Sequence, residues 1–157
     1  MNTADLFDAH GNDCQSCETQ FTQYGGRRIF SGRIRTVRCR DDNVLVRQAL
    51  ETRSDGEVLV VEGGGSLASA LLGDVMAELG RKNGWSGIII LGAVRDVVAL
   101  GRIDFGIKAL GSNPRKSGKT GAGAVNGEIA FGGVTFAPGA WLCSDDDGIL
   151  VAARKLG

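Results

Sequence analysis

Two short apolar runs, each followed by a glycine-marked loop, constrain the fold of this chain more than any other feature. The runs cover residues 58–61 and 88–91 and consist of valine, isoleucine and leucine without polar alternation. Strands of a parallel sheet are buried on both faces and have this composition, whereas a half-exposed strand alternates apolar and polar residues. The runs therefore predict neighbouring parallel strands in an α/β fold.

The loops after these runs carry ionic residues. Asp74 follows the first run, and Arg95 and Asp96 follow the second. In α/β folds, ligands bind beyond the carboxyl ends of parallel strands, so we expect the three side chains to lie in one crevice. A structural interpretation is also open, in which Asp74 caps a helix and Arg95 and Asp96 form a surface ion pair.

The segment between the two runs allows two helical interpretations. One is a continuous helix from Ser66 that tolerates Gly73, and the other is a break with a new helix that starts at Asp74 as its N-cap. We favour the break, because glycine followed by aspartate is a good helix opening. Such an opening presents the backbone amides of Asp74, Val75 and Met76, which suit a carboxylate ligand.

Length and charge limit the class of protein. With 157 residues, of which 43% are hydrophobic, the chain fits one domain over residues 1–157 with a proper core. It has 18 basic and 18 acidic residues, so no overall field attracts nucleic acid or an anionic membrane. Direct RNA binding is therefore not expected.

The N-terminus and the cysteines point to a cytoplasmic location. Residues 1–8 contain acids and no apolar segment typical of a secretory signal. No apolar run approaches the roughly 20 residues of a membrane span. Cys14 and Cys17 form a lone C-x-x-C without a second pair, which disfavours a zinc site. We expect a cytoplasmic protein with reduced thiols and no membrane association.

The rest of the chain is predicted from caps, turns and periodicity. Thr3 is expected to cap a first helix that ends near Gly11, and Asp41 and Asp42 a second helix over residues 43–52. Other segments are predicted as a strand at 29–39, a helical turn at 97–100, a strand at 103–110, and short strands at 129–131, 134–136, 141–143 and 149–152.

A basic, glycine-bearing loop covers residues 113–120. It lacks the spacing of a phosphate-binding P-loop and the strand-to-helix frame of that motif. Two interpretations stay open: the loop gathers an anionic substrate or phosphate, or it is solvated or touches another subunit.

The motifs together resemble the RraA-like family, which includes the regulator of ribonuclease activity A and the class II 4-hydroxy-4-methyl-2-oxoglutarate aldolases. The resemblance rests on the loop at residues 63–66 together with Gly73-Asp74 and Arg95-Asp96. Further matching segments lie at residues 3–6, 21–26, 37–39, 42–43, 132–135 and 145–148. The resemblance covers nearly the whole chain.

This resemblance implies a fold and an assembly. It implies an α/β fold of the swivelling β/β/α type, a mixed sandwich in a single domain. It also implies a ring-like homotrimer, with the crevice near a subunit boundary, that could pair into a hexamer.

The resemblance also implies a metal-dependent lyase. With one histidine in the chain and no paired cysteines near the loops, a metal would be a hard cation with oxygen ligands. The family's metal-binding aspartate falls at Asp96, so Asp96 would hold Mg²⁺ or Mn²⁺ directly and Asp74 would hold it through water. Arg95 would polarise the substrate, and the backbone amides from Gly73 to Met76 would hold the pyruvate carboxylate.

The implied reaction is a retro-aldol cleavage of a 2-keto acid that releases pyruvate. Decarboxylation of oxaloacetate passes through the same enolate, so one site can serve both reactions. The aldol reaction also needs a base for the hydroxyl proton, and a metal-bound water near Asp74 is the best candidate.

One departure from the aldolase pattern concerns Ala99, which stands where that pattern has an acidic residue. The alternative function is a regulator that binds and inhibits an endoribonuclease. Regulators of the family can lack acids at the positions of Asp74 and Asp96, and this chain keeps both. Many relatives carry a menaquinone methyltransferase name, but nothing in this sequence resembles a methyl-donor site, so methyl transfer is not expected.

Overall fold

The computed structural model describes residues 2–157, which form four α-helices, twelve strands and one 3₁₀ turn at Gly11–Asp13. The helices are α1 (Thr3–His10), α2 (Val44–Glu51), α3 (Asp74–Lys82) and α4 (Val97–Leu100). The strands are β1 (Cys14–Ser16), β2 (Thr22–Gln23), β3 (Phe30–Arg38), β4 (Val58–Glu62), β5 (Ala70–Leu72), β6 (Gly87–Val94), β7 (Gly106–Ser112), β8 (Ala124–Val125), β9 (Ile129–Phe131), β10 (Val134–Phe136), β11 (Trp141–Ser144) and β12 (Ile149–Ala152).

One ten-stranded sheet organises the molecule. Its strands follow the order β1-β12-β11-β3-β4-β6-β7-β2, with β5 added beside β6 and β8 beside β3. The pairs β3–β4, β4–β6, β5–β6 and β6–β7 are parallel. On the other side of β3 each pair is antiparallel: β3 with β11, β11 with β12, and β12 with β1. Strands β9 and β10 form a separate hairpin.

Both faces of the parallel strands are buried, which explains the apolar runs. Leu59 and Val61 of β4 face one core, to which α2 and α3 contribute. Val58 and Val60 face the opposite core, to which the β9–β10 hairpin and the antiparallel strands contribute. All four side chains are fully buried, so the strand cannot show polar alternation. The predicted mixed α/β class is confirmed.

Several local predictions are confirmed and others are wrong. The helical turn at 97–100 and the four short strands from residue 129 onward are found within one residue of their predicted bounds. The helix break is confirmed, but the predicted cap is wrong: Gly73 occupies the cap position of α3 and Asp74 is its first residue. Residues 66–69 are irregular and residues 70–72 form the short strand β5. The strand predicted at 103–110 begins only at Gly106. Strands β1, β2 and β8 were not predicted, because they are short and none of their residues is buried, so they leave no apolar pattern in the sequence.

The prediction that Thr3 caps the first helix is wrong. The cap is Asn2, whose side-chain oxygen accepts a hydrogen bond from the Asp5 amide at 2.8 Å. Thr3 instead donates from its amide and its hydroxyl to the carboxylate of Asp145, at 2.7 and 2.6 Å. The start of the chain is therefore tied to the turn between β11 and β12.

That turn is also held from inside the protein by a buried lysine. The ammonium of Lys108, a residue that is only 3% exposed, donates to the carbonyl oxygens of Asp145 at 2.6 Å and Gly148 at 3.2 Å. Burial lowers the pKa of Lys108, although the neighbouring aspartates oppose that change. The turn thus joins α1, β7 and the antiparallel strands.

The four cysteines are free thiols. Cys14 lies in β1 and Cys17 just beyond that strand, so the extended backbone separates their Cα atoms by about 10 Å, too far for a disulfide. Burial raises the pKa of Cys39 to about 12. Within residues 2–157, no helix is long and apolar enough to cross a membrane.

We predict that Asp145→Asn destabilises the protein at neutral pH. Burial opposes ionisation of Asp145, but hydrogen bonds from Thr3, Asp147 and Gly148 outweigh it and lower its pKa below the ordinary value. The carboxylate therefore contributes stability above pH 4 or so, and that contribution is lost as the pH falls through the lowered pKa. We expect the variant to lose about 1–3 kcal/mol in the free energy of unfolding at pH 7.

Urea denaturation at pH 7 and near pH 3 measures this effect. The deficit of the variant should shrink at the lower pH, and Asp147→Asn, at an exposed neighbouring carboxylate, should stay close to wild type at pH 7. An equal deficit at both pH values would contradict the prediction.

Candidate functional site

Strands β5 and β6 bring the ionic residues of the two loops together. The two strands are parallel and pair near their carboxyl ends, Ala70 with Ala93 and Leu72 with Val94. The amide of Arg95, the first residue after β6, donates to the carbonyl oxygen of Leu72 at 3.0 Å. The residues that follow each strand are consequently adjacent, as the topology of a parallel sheet requires.

The carboxylate of Asp96 links these two strand ends. Its Oδ2 accepts a hydrogen bond from the Asp74 amide at 3.0 Å and lies 3.8 Å from Nε of Arg95. The backbone of Asp96 is left-handed, with φ of 59°, a conformation that is uncommon for residues other than glycine and that recurs at functional sites. Side chains of Asp96 and Arg95 are 36% and 35% exposed, so both remain accessible to a ligand.

Asp96 therefore supplies the N-terminal cap of α3. Asp74, the first residue of α3, turns its own Oδ1 to the Val75 amide at 2.8 Å. Two of the four amides predicted to receive a substrate carboxylate, those of Asp74 and Val75, are thus engaged by protein carboxylates. An incoming carboxylate has to compete with Asp96 for the Asp74 amide.

The absence of a side chain at Gly73 allows the Asp96 carboxylate to lie against the start of α3. A Cβ added at Gly73 would lie 2.6 Å from Oδ2 of Asp96 and 3.4 Å from Nε of Arg95. The backbone of Gly73 is extended, with φ of −125°, so any residue could adopt its conformation. Glycine is required here for space, which the ionic groups occupy.

A cavity of about 190 Å³ lies at this point. All the residues predicted to form the site border it: Gly73, Asp74, Val75, Met76, Arg95 and Asp96. It is small for a site that encloses a drug-sized ligand, which typically takes about 300–1,000 Å³. A small organic acid suits this volume.

Three further cationic side chains border the cavity, none of which was predicted as a site residue. Arg47 comes from α2, and Lys116 and Lys119 come from the loop after β7. The lysines belong to the basic loop for which two interpretations were open, and the structure places that loop over the cavity. The sequence does not mark Arg47 as a site residue, because an arginine four residues before a glutamate is ordinary on a helix surface; the two side chains form that ion pair at 2.9 Å.

An apolar groove of about 620 Å³ adjoins the cavity. The groove shares Asp74, Val75 and Arg47 with the cavity, and Ala99 and Ile103 also line it. Ala99, the departure from the aldolase pattern, therefore lies beside the ionic cavity and not among the residues that border it.

The donor set fits a hard divalent cation. Within residues 2–157, no three histidine, cysteine or acidic side chains come together in a metal-binding cluster. Asp96 and Asp74 each use one carboxylate oxygen for a helix amide, and among the described residues no hydrogen bond is donated to the other oxygen. Mg²⁺ commonly takes only one or two protein carboxylates and keeps several waters.

Comparison with known proteins identifies the family of this chain. Residues 3–151 match the RraA-like family, described as Aldolase/RraA. A structure described as S-adenosylmethionine:2-dimethylmenaquinone methyltransferase from Geobacillus kaustophilus HTA426 is 48% identical, with a TM-score of 0.97 over 99% of this chain and 96% of that one. The RNA-processing inhibitor RraA from Thermus thermophilis is 40% identical, with a TM-score of 0.94 over 100% and 99% of the two chains.

A more distant relative has the same fold. RraAS2 from Streptomyces coelicolor, described as an unusual member of the RNase ES inhibitor RraA family, is 26% identical, with a TM-score of 0.78 over 97% of this chain and 80% of that one. Family match, sequence identity and fold all agree over nearly the whole chain. The protein belongs to the RraA-like family.

Proposed function

We propose that this protein is a divalent-metal-dependent lyase that cleaves 2-keto acids to pyruvate. The reactions are retro-aldol cleavage of substrates such as 4-hydroxy-4-methyl-2-oxoglutarate and decarboxylation of oxaloacetate. The observation that carries the proposal is the contact of Asp96 with both Arg95 and the Asp74 amide at one small cavity. Family membership supports it, since the family includes aldolases.

The carboxylates are suited to a cation and the guanidinium to the substrate. Asp96 would hold Mg²⁺ or Mn²⁺ directly, through the oxygen that does not cap α3, and Asp74 would hold it through water. When bound, the cation supplies Lewis-acid polarisation of the 2-keto oxygen. Arg95 donates to the same end of the substrate and stabilises the negative charge that develops on the enolate.

The bond changes balance without a further reactant. In the retro-aldol reaction the C3–C4 bond breaks, the C4 hydroxyl loses its proton, and the electron pair of the broken bond forms the pyruvate enolate. A proton returned to C3 completes pyruvate. In oxaloacetate, carbon dioxide leaves in place of the second keto acid. We assign the removal of the hydroxyl proton to Asp74, acting with a water.

The substrate carboxylates have two sets of partners at the cavity. One is the start of α3, where the pyruvate carboxylate would meet the amides from Gly73 to Met76 and compete with Asp96. The other is the pair of ammonium groups of Lys116 and Lys119. A substrate with two carboxylates can use both sets.

A specific observation also favours the second candidate, a regulator that binds and inhibits an endoribonuclease. The 40% identical relative is an RNA-processing inhibitor, and Ala99 removes an acid of the aldolase pattern. The predicted homotrimer is compatible with either function and stays a prediction. Val75 and Val98, which are 68% and 72% exposed, provide apolar surface near the cavity for contact with another chain.

We predict that Arg95→Met lowers kcat/KM for oxaloacetate by about 10²–10³, the usual cost of losing a donor to a developing oxyanion. A coupled pyruvate assay with Mg²⁺ or Mn²⁺ measures it, and a chelator should abolish the wild-type rate. Asp96→Ala should likewise lose activity, while Arg53→Met, at an exposed arginine outside the cavity, should not. Absence of pyruvate release by the wild type from both substrates would refute the lyase.

We predict that Gly73→Ala lowers kcat/KM by on the order of tenfold to a hundredfold while the protein still folds. The added methyl must displace the Asp96 carboxylate, and small misplacements of reacting groups carry costs of this size. Gly127→Ala is the matched control, because a Cβ at Gly127 meets no heavy atom within 4 Å. Equal activity of the two variants would show that the position of Asp96 does not matter.

The second candidate function, regulation of a ribonuclease by contact, leads to a different prediction. A ribonuclease should co-purify with the tagged protein. Asp96→Ala should leave that complex intact, because we place the contact on the exposed apolar side chains of Val75 and Val98 and not on the Asp96 carboxylate. Pull-down from a lysate followed by nuclease assay tests this. Failure to recover any ribonuclease with the wild type would count against regulation by contact.

A further inference from the structure

The loop that carries the cavity lysines, residues 115–121, is fastened on its first half to β5. We refer to residues 115–121 as the lysine loop. The Ala70 amide donates to the Arg115 carbonyl oxygen at 2.8 Å, and the hydroxyl of Ser117 donates to the Ala70 carbonyl oxygen at 2.5 Å. The hydroxyls of Ser69 and Ser117 lie 3.2 Å apart. This half of the loop is therefore fixed beside the strand that leads to Gly73.

The second half of the lysine loop is fastened to the segment that precedes α2. The Gly118 amide donates to the Asp41 carbonyl oxygen at 2.7 Å. The amide and hydroxyl of Thr120 donate to Oδ2 of Asp42 at 2.5 and 2.7 Å, and the Gly121 amide donates to Oδ1 at 3.1 Å. Lys119 thus lies between two residues whose amides are bound by Asp41 and Asp42.

Asp42 binds the second half of the lysine loop and does not border the cavity. It is 4% exposed, and its carboxylate accepts four hydrogen bonds, one of them from the Val44 amide at 3.3 Å. Burial opposes its ionisation, but the hydrogen bonds from Thr120, Val44 and Gly121 prevail and lower its pKa. A neutral side chain could not satisfy four donors in this way.

The residue after Asp42 orients the lysine side chain itself. Asn43 is 7% exposed and borders the cavity. Its amide nitrogen donates to the Leu71 carbonyl oxygen at 3.3 Å, which fixes the orientation of the side chain, and its Oδ1 accepts a hydrogen bond from the ammonium of Lys119. Lys119 is exposed, so without this contact its long side chain would be free to move away from the cavity.

We infer that Asp42 is a positioning residue: together with Asn43 it holds the ammonium of Lys119 over the cavity and so sets the affinity of the site for a second carboxylate of the substrate. The identity of the ligand as a dicarboxylic 2-keto acid rests on the proposed function. The positioning of Lys119 by Asp42 rests only on the contacts described above.

The test is a double-mutant cycle between Asp42→Asn and Lys119→Met, with sodium oxalate as the probe. Isothermal titration calorimetry at fixed ionic strength, in buffer with MgCl₂, gives the dissociation constant of each variant. Lys119→Met should weaken oxalate binding about tenfold, the value of a charge-assisted hydrogen bond. Asp42→Asn should weaken it roughly threefold to tenfold in the wild-type background and leave it unchanged in the Lys119→Met background.

A general loss of structure would act differently. If Asp42 served only the stability of the loop, Asp42→Asn would weaken binding by the same factor in both backgrounds, and that result would overturn the inference. Failure of the wild type to bind oxalate, or equal binding by wild type and Lys119→Met, would also overturn it.

If Asp42→Asn does not fold, two variants at Thr120 test the same hydrogen bonds with a smaller perturbation. Thr120 is exposed, so Thr120→Val removes one hydroxyl donor to Asp42 at little risk to the core, and Thr120→Ser retains it. We expect Thr120→Val to weaken oxalate binding through Lys119, and Thr120→Ser to match the wild type. Equal affinities for the two variants would contradict the inference.

The outcome separates this inference from the proposed function. Oxalate binding that follows the cycle, without pyruvate release by the wild type, would reject the lyase and retain the role of Asp42. Pyruvate release with additive effects in the cycle would retain the lyase and reject the role of Asp42. In an active enzyme, Asp42→Asn should raise KM for oxaloacetate and leave kcat nearly unchanged.

Discussion

The contact of the Asp96 carboxylate with the start of α3 is the interaction on which the candidate site depends. It joins the carboxyl ends of β5 and β6, satisfies an amide that a helix start leaves without an intrahelical partner, and brings a carboxylate within 3.8 Å of the Arg95 guanidinium. Three local features permit it: no side chain at Gly73, the left-handed backbone of Asp96, and the parallel pairing of the two strands. The same carboxylate retains an oxygen for a cation.

The charge around the cavity is more specific than the charge of the whole protein. The chain is neutral overall, with 18 basic and 18 acidic residues, yet four cationic side chains and two carboxylates border the cavity. A divalent cation would raise the positive excess further. Such a site favours a small anion with more than one negative group. The hydrogen bonds that Asp42 accepts fasten the lysine loop beside the cavity.

Relatives with one fold carry different functional names. A structure 48% identical to this chain is described as a methyltransferase and one 40% identical as an RNA-processing inhibitor, which illustrates that function lies in a site and not in the fold that carries it. In this chain the ionic cavity would serve the lyase, and the apolar groove containing Ala99 is a separate surface. The two surfaces share Arg47, Asp74 and Val75, so an interface on the groove would border the cavity.

The sequence by itself determined the parallel strands, the mixed α/β class, the helix break at Gly73 and the proximity of Asp74 to the Arg95-Asp96 pair. These follow from local composition and from the rule that parallel strands end at one edge of a sheet. Tertiary structure alone decided that Asp96 occupies the amide of Asp74, that Arg47 and the lysine loop complete the cavity, and that Thr3 binds Asp145 instead of capping α1. Those contacts join residues more than twenty positions apart in the sequence. Each of these side chains could bind several partners, and the partner that it binds is fixed only when the sheet has packed.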